Sequence, residues 1–199
     1  MINKLPFHKT HFYQTIILVF ICSLSLSGCS KYSNEVLANL TKLKKTKACS
    51  GCDLSGIELI SFDLKNADIS GADLTGANLS KSDLTGANLT DTNLSDADLM
   101  GVNLTGATLT NTNLTRVKLS YANISEVEMS NVMLVRAKMN NAKVVNSNIS
   151  YTDMTGANLY NANLSDTRVS DKTLKNSILC QTIMPSGTTE NRSCRRSVL

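Results

Sequence analysis

The residue pattern repeats every five positions over most of the chain. Leu, Ile, Met or Val occupies every fifth position from Leu54 to Met184, which makes 27 apolar centres with no insertion between them. Two positions before each centre the residue is small in 24 of these 27 pentads, the exceptions being Ile57, Phe62 and Lys172. A repeat this regular is interpreted before any other feature because it dictates the architecture.

A period of five excludes both one long helix and one straight strand. At about 100° per residue, a helix would rotate successive centres by roughly 140° and spread them around its surface. In a strand, an odd step would place alternate centres on opposite faces. The pattern instead predicts a short extended piece followed by a corner in each pentad, and the permissive residue Gly stands at the corner in seven pentads from Gly56 to Gly156. The chain is therefore expected to wind into a solenoid.

Individual pentads resemble the A(D/N)LXX motif of the pentapeptide repeat family. Three consecutive examples are Ala72–Gly76 (ADLTG), Ala77–Lys81 (ANLSK) and Ser82–Gly86 (SDLTG). The resemblance implies an all-β fold, a right-handed quadrilateral β-helix with four pentads per coil, over residues 52–186. Stacking at about 4.8 Å per coil then gives a rod roughly 32 Å long.

Four pentads per coil also predict which side chains stack on one another. Asp96 would lie directly beneath Arg116, and Asp98 beneath Lys118. A three-sided coil would place Asn111 above Asp96 instead. The two coil sizes therefore predict different ion pairs.

The N-terminus has the architecture of a secretion signal. Lys4 and Lys9 precede an uncharged apolar run, residues 15–26, that is too short to span a bilayer. Residues 26–29 (LSGC) resemble the lipobox of bacterial lipoproteins, which implies a signal peptide over 1–28, a diacylglycerol lipid on Cys29 and a tether over 29–33. The alternative is an ordinary signal peptide with an incidental cysteine. Ser30, in place of Asp, favours an extracytoplasmic location at the outer membrane over the inner membrane.

Removal of the signal also removes both histidines, His8 and His11. The mature chain would then have no histidine for acid–base catalysis, for a Ser/His/Asp or Cys/His nucleophile, or for a metal site. We expect no enzymatic activity, no metal and no cofactor apart from the lipid on Cys29.

Both ends of the solenoid are expected to be covered, because open strand edges invite association. Residues 34–51 are predicted to form a helical cap with Asn34 as a possible N-cap. Lys172 stands at a small inward position, which predicts looser packing in the last pentads before a C-terminal tail over 187–199. The apolar stripe of the helix consists of Val36, Leu37, Leu40 and Leu43.

Four cysteines remain once Cys22 in the signal and the lipidated Cys29 are set aside, and an even number in an exported protein predicts two disulfides. With four pentads per coil, as the family resemblance implies, the two ends of the rod lie about 30 Å apart. This distance is too long for a disulfide or a shared zinc site between the ends. The expected pairs are Cys49 with Cys52 and Cys180 with Cys194. The tail also resembles the terminal segment of some exported members of the family, in which two cysteines bracket a Met-Pro-X-Gly turn.

The motif Cys49-Ser50-Gly51-Cys52 has the spacing of thiol oxidoreductases. Such enzymes need a thiolate stabilised at a helix N-terminus, whereas this motif follows a helix, so a structural disulfide is the preferred interpretation. A thiol redox protein stays as an alternative.

Charge is distributed unevenly along the rod. Residues 52–114 contain nine acidic residues against Lys65 and Lys81, and residues 115–186 contain five against eight basic ones. An acidic rod resembles family members that mimic DNA and bind topoisomerases, which is a further alternative. Export, the absence of loop insertions and the basic second half speak against it, and no nucleic-acid partner is expected.

Two surface features suggest contacts. Lys42, Lys44, Lys45 and Lys47 either touch anionic headgroups or only complement the end of the helix. A candidate contact patch for an unknown protein partner consists of Tyr121, Met133, Val135, Val145, Tyr151 and Tyr160, with scattered exposure as the alternative. The sequence thus predicts a membrane-anchored structural or interaction scaffold, as a monomer or weak dimer.

Overall fold

The structure is a computed structural model that describes residues 31–194. Its backbone forms a ladder of parallel bridges between residues 20 apart, which runs from the pair Ala48 and Asp68 to the pair Asn163 and Ile183. A 20-residue repeat is four pentads per coil, so the predicted four-sided coil is confirmed. The ladder begins at Ala48 rather than at residue 52, because the pentad around Cys49 already pairs with the coil above it.

Each of the four sides collects one pentad from every coil. We number the sides by their first centres, so that side 1 starts at Leu54, side 2 at Leu59, side 3 at Leu64 and side 4 at Ile69, each continuing every 20 residues. Most flat stretches are too short to count as strands. In the solenoid the two six-residue exceptions run from side 4 around the corner onto side 1: β1 (Glu128–Met133) pairs with β2 (Asn148–Asp153) in parallel.

Where the outward residue of a pentad is Asp or Asn, its side chain completes the hydrogen bonding of the backbone. In the first coil the N–H of Leu54 donates to the carbonyl of Asp73 in the coil above (2.8 Å). The N–H of Ser55 instead donates to the side-chain Oδ1 of Asp53 (2.9 Å). A buried N–H without a partner costs free energy, and a side-chain oxygen two residues earlier supplies the acceptor. This is the physical reason for the D/N position of the motif.

Large and small inward side chains form one continuous core. The apolar centres are buried except Val169 and Met184, which are half-buried. Where the small position is Ser or Thr, the hydroxyl donates to the carbonyl of a centre in the coil below, as Thr92 does to Ile69 (3.0 Å). Thr152 is the exception and donates to Ile149 in its own coil (2.8 Å). The buried hydroxyl is therefore satisfied, and the position accepts Ala, Ser and Thr alike.

The corner residues adopt left-handed backbone dihedrals, which explains why Gly and Asn are frequent there. Asn111, for example, has a φ of 57°. Tyr121 has a φ of 62°, although a bulky side chain makes this conformation sterically unfavourable. Tyr151 departs from the pattern, because the register shifts where Ser130 pairs with Tyr151 between β1 and β2.

Helix α1 (Asn34–Thr46) covers the first coil. Its N-cap is Ser33, not Asn34, because the Ser33 hydroxyl accepts from the N–H of Val36 (3.1 Å). Val36 and Leu43 are buried and Leu40 is half-buried, as predicted. Leu37 is an exception at 37% exposure.

The buried stripe of α1 turns toward Asn39 rather than Leu37. The Nδ2 of Asn39 donates to the carbonyl of Asp53 (2.9 Å), which attaches the helix to the first coil. The helix ends at Lys47, which has left-handed dihedrals and whose N–H donates to the carbonyl of Leu43 (2.8 Å). The inward face of the helix therefore combines the apolar contacts of Val36, Leu40 and Leu43 with one polar contact at the edge of the coil.

The irregularity at Lys172 is confined to one pentad. Residues Asp171–Leu174 form a helical turn, α2, that turns Lys172 outward to solvent. Thr173 contacts the coil below instead of Lys172, and its hydroxyl donates to the carbonyl of Ser150 (3.3 Å). The ladder resumes at once with the pair Asn158 and Ile178, so the prediction that Lys172 lies inward and loosens the last pentads is wrong.

The tail folds back over the last coil. Strand β3 (Thr182–Ile183) pairs in antiparallel fashion with β4 (Thr189–Glu190). The N–H of Ser193 donates to the carbonyl of Leu179 (2.9 Å), and the guanidinium of Arg192 donates to the carbonyl of Leu174. The tail therefore supplies partners to backbone groups on three sides of the open end.

Candidate interaction surface

The predicted signal peptide and lipidation site, residues 1–28 and Cys29, lie outside the described residues. Within residues 31–194 no helix has the length and apolar character needed to cross a bilayer. Within the same range no group of His, Cys, Asp and Glu side chains has the arrangement of a metal site.

The disulfides join the expected cysteines. Cys49 and Cys52 are bonded, with Cα atoms 5.4 Å apart, and Cys180 is bonded to Cys194, with Cα atoms 4.7 Å apart. The first pair is buried beneath α1, where Cys49 is 0% and Cys52 7% exposed. A thiol exchange reaction requires access to the sulfur atoms, so this burial favours a structural role.

The stacked ion pairs lie where a four-sided coil places them. The Nε of Arg116 donates to Oδ1 of Asp96 (2.7 Å), and the Nζ of Lys118 lies 3.0 Å from Oδ2 of Asp98. The Arg116 hydrogen bond lowers the pKa of Asp96 below its ordinary value, and the same bond raises the pKa of Arg116. Asn111 instead donates to Asp91 (2.8 Å), which is also 20 residues away.

The lysines at the end of α1 divide into two groups. Lys47 Nζ lies 3.1 Å from Oδ2 of Asp63, and Lys44 Nζ lies 5.8 Å from the centre of the Phe62 ring. Lys42 and Lys45 are exposed. Two of the four lysines therefore hold the helix to the first coil, and contact with lipid headgroups stays a prediction.

The six residues of the predicted contact patch do not form one surface. Met133 and Val135 lie on side 1, with Tyr151 at the adjoining corner. Tyr160 and the corner residue Tyr121 belong to side 2, and Val145 lies on side 3, opposite side 1. Val135 and Val145 are only half exposed, whereas Tyr121 and Tyr151 are 66% and 72% exposed.

Side 2 is the side on which exposed apolar and basic residues coincide. It carries five of the eight exposed large apolar side chains in the described chain, namely Ile60, Met100, Tyr121, Tyr160 and Ile178. Along its outward column the charges run from Glu58 in the first coil through Asp98 to Lys118 and Lys138 in the following coils. The apolar and charged positions could have been placed on one side from the sequence by sorting residues at intervals of 20.

Side 2 has a groove at its C-terminal end that the sequence does not predict. Its wall is the returning tail, and the lining residues include Asn140, Asn158, Tyr160, Ile178, Ser193 and Cys194. No local signal in the sequence predicts it, because the tail reaches side 2 through contacts between residues distant in sequence, among them the Cys180–Cys194 disulfide and the Ser193 backbone hydrogen bond.

A sequence model of pentapeptide repeats, eight copies long, matches residues 49–86, 77–116, 97–134, 112–150 and 137–176. These overlapping matches cover the ladder from the first coil to the helical turn α2. No curated protein matches the chain.

Several solved structures are similar. HetL, a pentapeptide repeat protein involved in heterocyst differentiation regulation from the cyanobacterium Nostoc sp. strain PCC 7120, is 28% identical over 72% of this chain and 74% of HetL, with a TM-score of 0.52. The Nostoc pentapeptide repeat protein alr5209 is 22% identical over 68% of this chain and 95% of its own, with a TM-score of 0.41. QnrB1, a plasmid-mediated fluoroquinolone resistance protein, is 17% identical over 72% of this chain and 76% of its own, with a TM-score of 0.39.

Proposed function

Because the chain belongs to the pentapeptide repeat family, we propose that it is a non-catalytic, lipid-anchored rod that serves as an interaction scaffold in the extracytoplasmic space. The observation that carries this proposal is the lipobox-like stretch ending at Cys29, five residues before α1 begins. A lipid at that position holds the rod next to a membrane through a short tether. The location at the outer membrane rests on Ser30.

The closed ends support a scaffold rather than a filament. Helix α1 covers the first coil, and the tail covers the last one through β4, Arg192 and Ser193. Solenoids whose ends are capped do not extend by adding coils from a second molecule. Partners therefore bind the sides, which are flat and rich in polar side chains.

The disulfides support the extracytoplasmic location. Two disulfides in a chain of this size are typical of oxidising compartments and rare in the cytosol. The support is independent of the lipobox, because the bonded cysteines lie within and beyond the solenoid.

Replacement of the lipidated cysteine tests the anchor. In cells expressing the full chain, Cys29→Ala should abolish incorporation of labelled palmitate and release the protein from the membrane fraction or leave it as an uncleaved precursor. Cys22→Ala, which removes a cysteine of the apolar run instead, is the matched control and should behave as the parent. Lipid labelling and membrane retention unchanged in Cys29→Ala would contradict the proposal.

A thiol redox protein is the second candidate function, and the CxxC spacing of Cys49 and Cys52 is the observation in its favour. Burial of both sulfur-bearing residues beneath α1 counts against it. Treatment of the native protein with thioredoxin or glutathione should leave this disulfide intact. Ready reduction in the folded state would favour the redox function.

A DNA-mimicking, topoisomerase-binding protein is the third candidate, favoured by the acidic first half of the rod. The basic ladder of Arg116 and Lys118 interrupts that acidic surface at mid-length. The purified chain should therefore leave the supercoiling activity of DNA gyrase unchanged.

A further inference from the structure

Cations stack upon cations in the second half of the rod. Lys118 is the ladder partner of Lys138, and Arg116 and Arg136 occupy the same corner in consecutive coils. Ladder neighbours lie about 4.8 Å apart, and like charges directly opposite each other are destabilising. Negative charge close to these two like-charge pairs would offset their repulsion.

The lower cation of each stack has that negative charge within the chain. Arg116 is bound to Asp96, and Lys118 to Asp98. Both carboxylates lie one coil below their cations. These pairs show that a carboxylate one coil away fits the geometry of this corner and of the adjoining side 2.

The upper cations face no carboxylate. One coil further on, the residue above Arg136 is Gly156 and the residue above Lys138 is Asn158. The stem of Arg136 rests on Gly156, since its Cγ lies 3.4 Å from the place a Cβ would take there. Among residues 31–194 neither cation has a carboxylate within ion-pair distance.

Asn158 presents donors beside these cations. Its Oδ1 accepts from the N–H of Tyr160 (3.0 Å), which leaves the amide N–H groups. At an equivalent position on side 1 the Nδ2 of Asn93 donates to the hydroxyl of Thr75 in the coil below (2.8 Å). The residue 18 positions before Asn158 is Asn140, and among residues 31–194 the Nδ2 of Asn158 donates no hydrogen bond to it. Lys138, directly beneath Asn158, has no acceptor to offer. Arg136, Lys138 and Asn158 thus form a surface of hydrogen-bond donors, which we call the donor surface.

An aromatic ring and further amides lie next to the donor surface. Asn158 and Tyr160 line the groove formed with the tail, together with Asn140 and Ile178. Tyr160 is 41% exposed, so part of its ring is open to a ligand. Cations, amides and a tyrosine ring therefore adjoin one another at the C-terminal end of side 2.

We propose that the donor surface and the adjoining groove bind an anionic polysaccharide. Carboxylates of the sugar acids bind Arg136 and Lys138 as Asp96 and Asp98 bind the lower cations. Sugar hydroxyls accept from and donate to the amides of Asn140 and Asn158, and a ring packs on Tyr160. An anionic lipid surface laid along side 2 fits less well, because the acidic Glu58 stands in the same outward column and would face the headgroups. The proposal does not depend on the lipid at Cys29.

Binding of polysaccharides to the full chain purified in detergent provides the test. Polygalacturonate should bind, with an affinity that falls as salt is raised, and neutral dextran should not bind. The double substitution Arg136→Gln and Lys138→Gln should weaken binding at least tenfold. The matched control, Arg168→Gln with Lys172→Gln, removes the same charge from exposed positions of the same half and should bind as the parent.

Tyr160→Ala separates a polysaccharide from other anions. This variant should bind polygalacturonate several-fold more weakly than the parent does. Polyglutamate, which has no sugar ring, should bind the parent more weakly than polygalacturonate does, and its affinity should be the same for the variant as for the parent. Thermal melting establishes that each variant is folded. The proposal is overturned if the double variant binds as well as the control, or if polyglutamate, oligo-dT or vesicles of phosphatidylglycerol bind more tightly than polygalacturonate. Self-association through the same residues, measured by sedimentation, would also overturn it.

Discussion

At the scale of the residue, the outward Asp or Asn has a double role. Its Oδ1 accepts the N–H that the ladder leaves unpaired, as Asn103 does for Thr105 (3.2 Å). Its Nδ2, when it is Asn, also donates to the coil below, as Asn103 does to Thr85 (2.9 Å). Asp lacks the second contact but can pair with a cation. The choice between the two residues therefore tunes the surface charge while the backbone stays the same.

Inward and outward positions should differ sharply in their tolerance of charge. Leu109 is 0% exposed, whereas its neighbour Thr110 is half exposed. Leu109→Asp should lower the free energy of unfolding by several kcal/mol, since it buries an unpaired charge. Thr110→Asp is the matched control and should change it by no more than about 0.5 kcal/mol. Equal melting temperatures of the two variants would refute the register described for the solenoid.

At the scale of the element, the two ends are closed by different means. Helix α1 attaches to the first coil through its buried stripe and through the Asn39 contact to Asp53. The tail is too polar to be attached by apolar packing alone, and it is tied by a disulfide and by backbone hydrogen bonds. Each end satisfies open strand edges that would otherwise attract other chains.

The tail should depend strongly on its disulfide. Cys180 and Cys194 are separated by 14 positions, and a loop of about 15 residues contributes nominally 3 kcal/mol by the chain-entropy argument. The double variant Cys180→Ser, Cys194→Ser should melt at a lower temperature and be cleaved faster by protease between residues 184 and 194.

The other disulfide supplies the control. Cys49→Ser with Cys52→Ser opens a bridge with a separation of only 3 and should leave the protease resistance of the tail unchanged. A tail that stays protected without its own disulfide would show that β4 and Arg192 close the end by themselves.

At the scale of the whole molecule, outward carboxylates repeat along the rod and share one environment. The N–H of Ser55 lowers the pKa of Asp53, the hydroxyl of Ser70 that of Asp68, and the hydroxyl of Thr155 that of Asp153. Each charged carboxylate accepts a hydrogen bond that its protonated form accepts less well. The shifts have the same sign in different coils, so their effects on stability combine.

These shifts predict acid sensitivity. A carboxyl group whose pKa is lower in the folded than in the unfolded state stabilises the fold above its unfolded value, and this contribution is lost as pH falls through the folded value. The melting temperature should therefore be steady above about pH 5 and fall progressively below the ordinary carboxyl pKa of 3.8.

Asparagine offers a matched control for the acid effect, because the chain itself uses Asn at equivalent positions without a titrating group. The variant Asp53→Asn, Asp153→Asn should lose less stability than the parent between pH 5 and the acid range, as measured by melting. A steeper loss in the variant than in the parent would contradict the assignment of acid sensitivity to these carboxylates.

Much of the fold could be predicted from the sequence because the period of five is a local property repeated many times. Each pentad carries its own apolar centre and corner, and most carry a small residue and an outward Asp or Asn, so inward and outward positions follow from counting. The family resemblance supplied four sides, and the Asp96–Arg116 stack then followed from a spacing of 20. The cysteine pairs followed as well, because the rod separates its ends.

Tertiary structure alone decided what happens where the period breaks. Asn39 rather than Leu37 faces the first coil, where its Nδ2 finds the carbonyl of Asp53 as an acceptor. Lys172 leaves the inward position because a helical turn costs less than a buried ammonium group. The groove on side 2 exists only because the tail returns to it. Repetition makes a local rule sufficient in the middle of the rod, whereas the ends depend on contacts between segments distant in sequence.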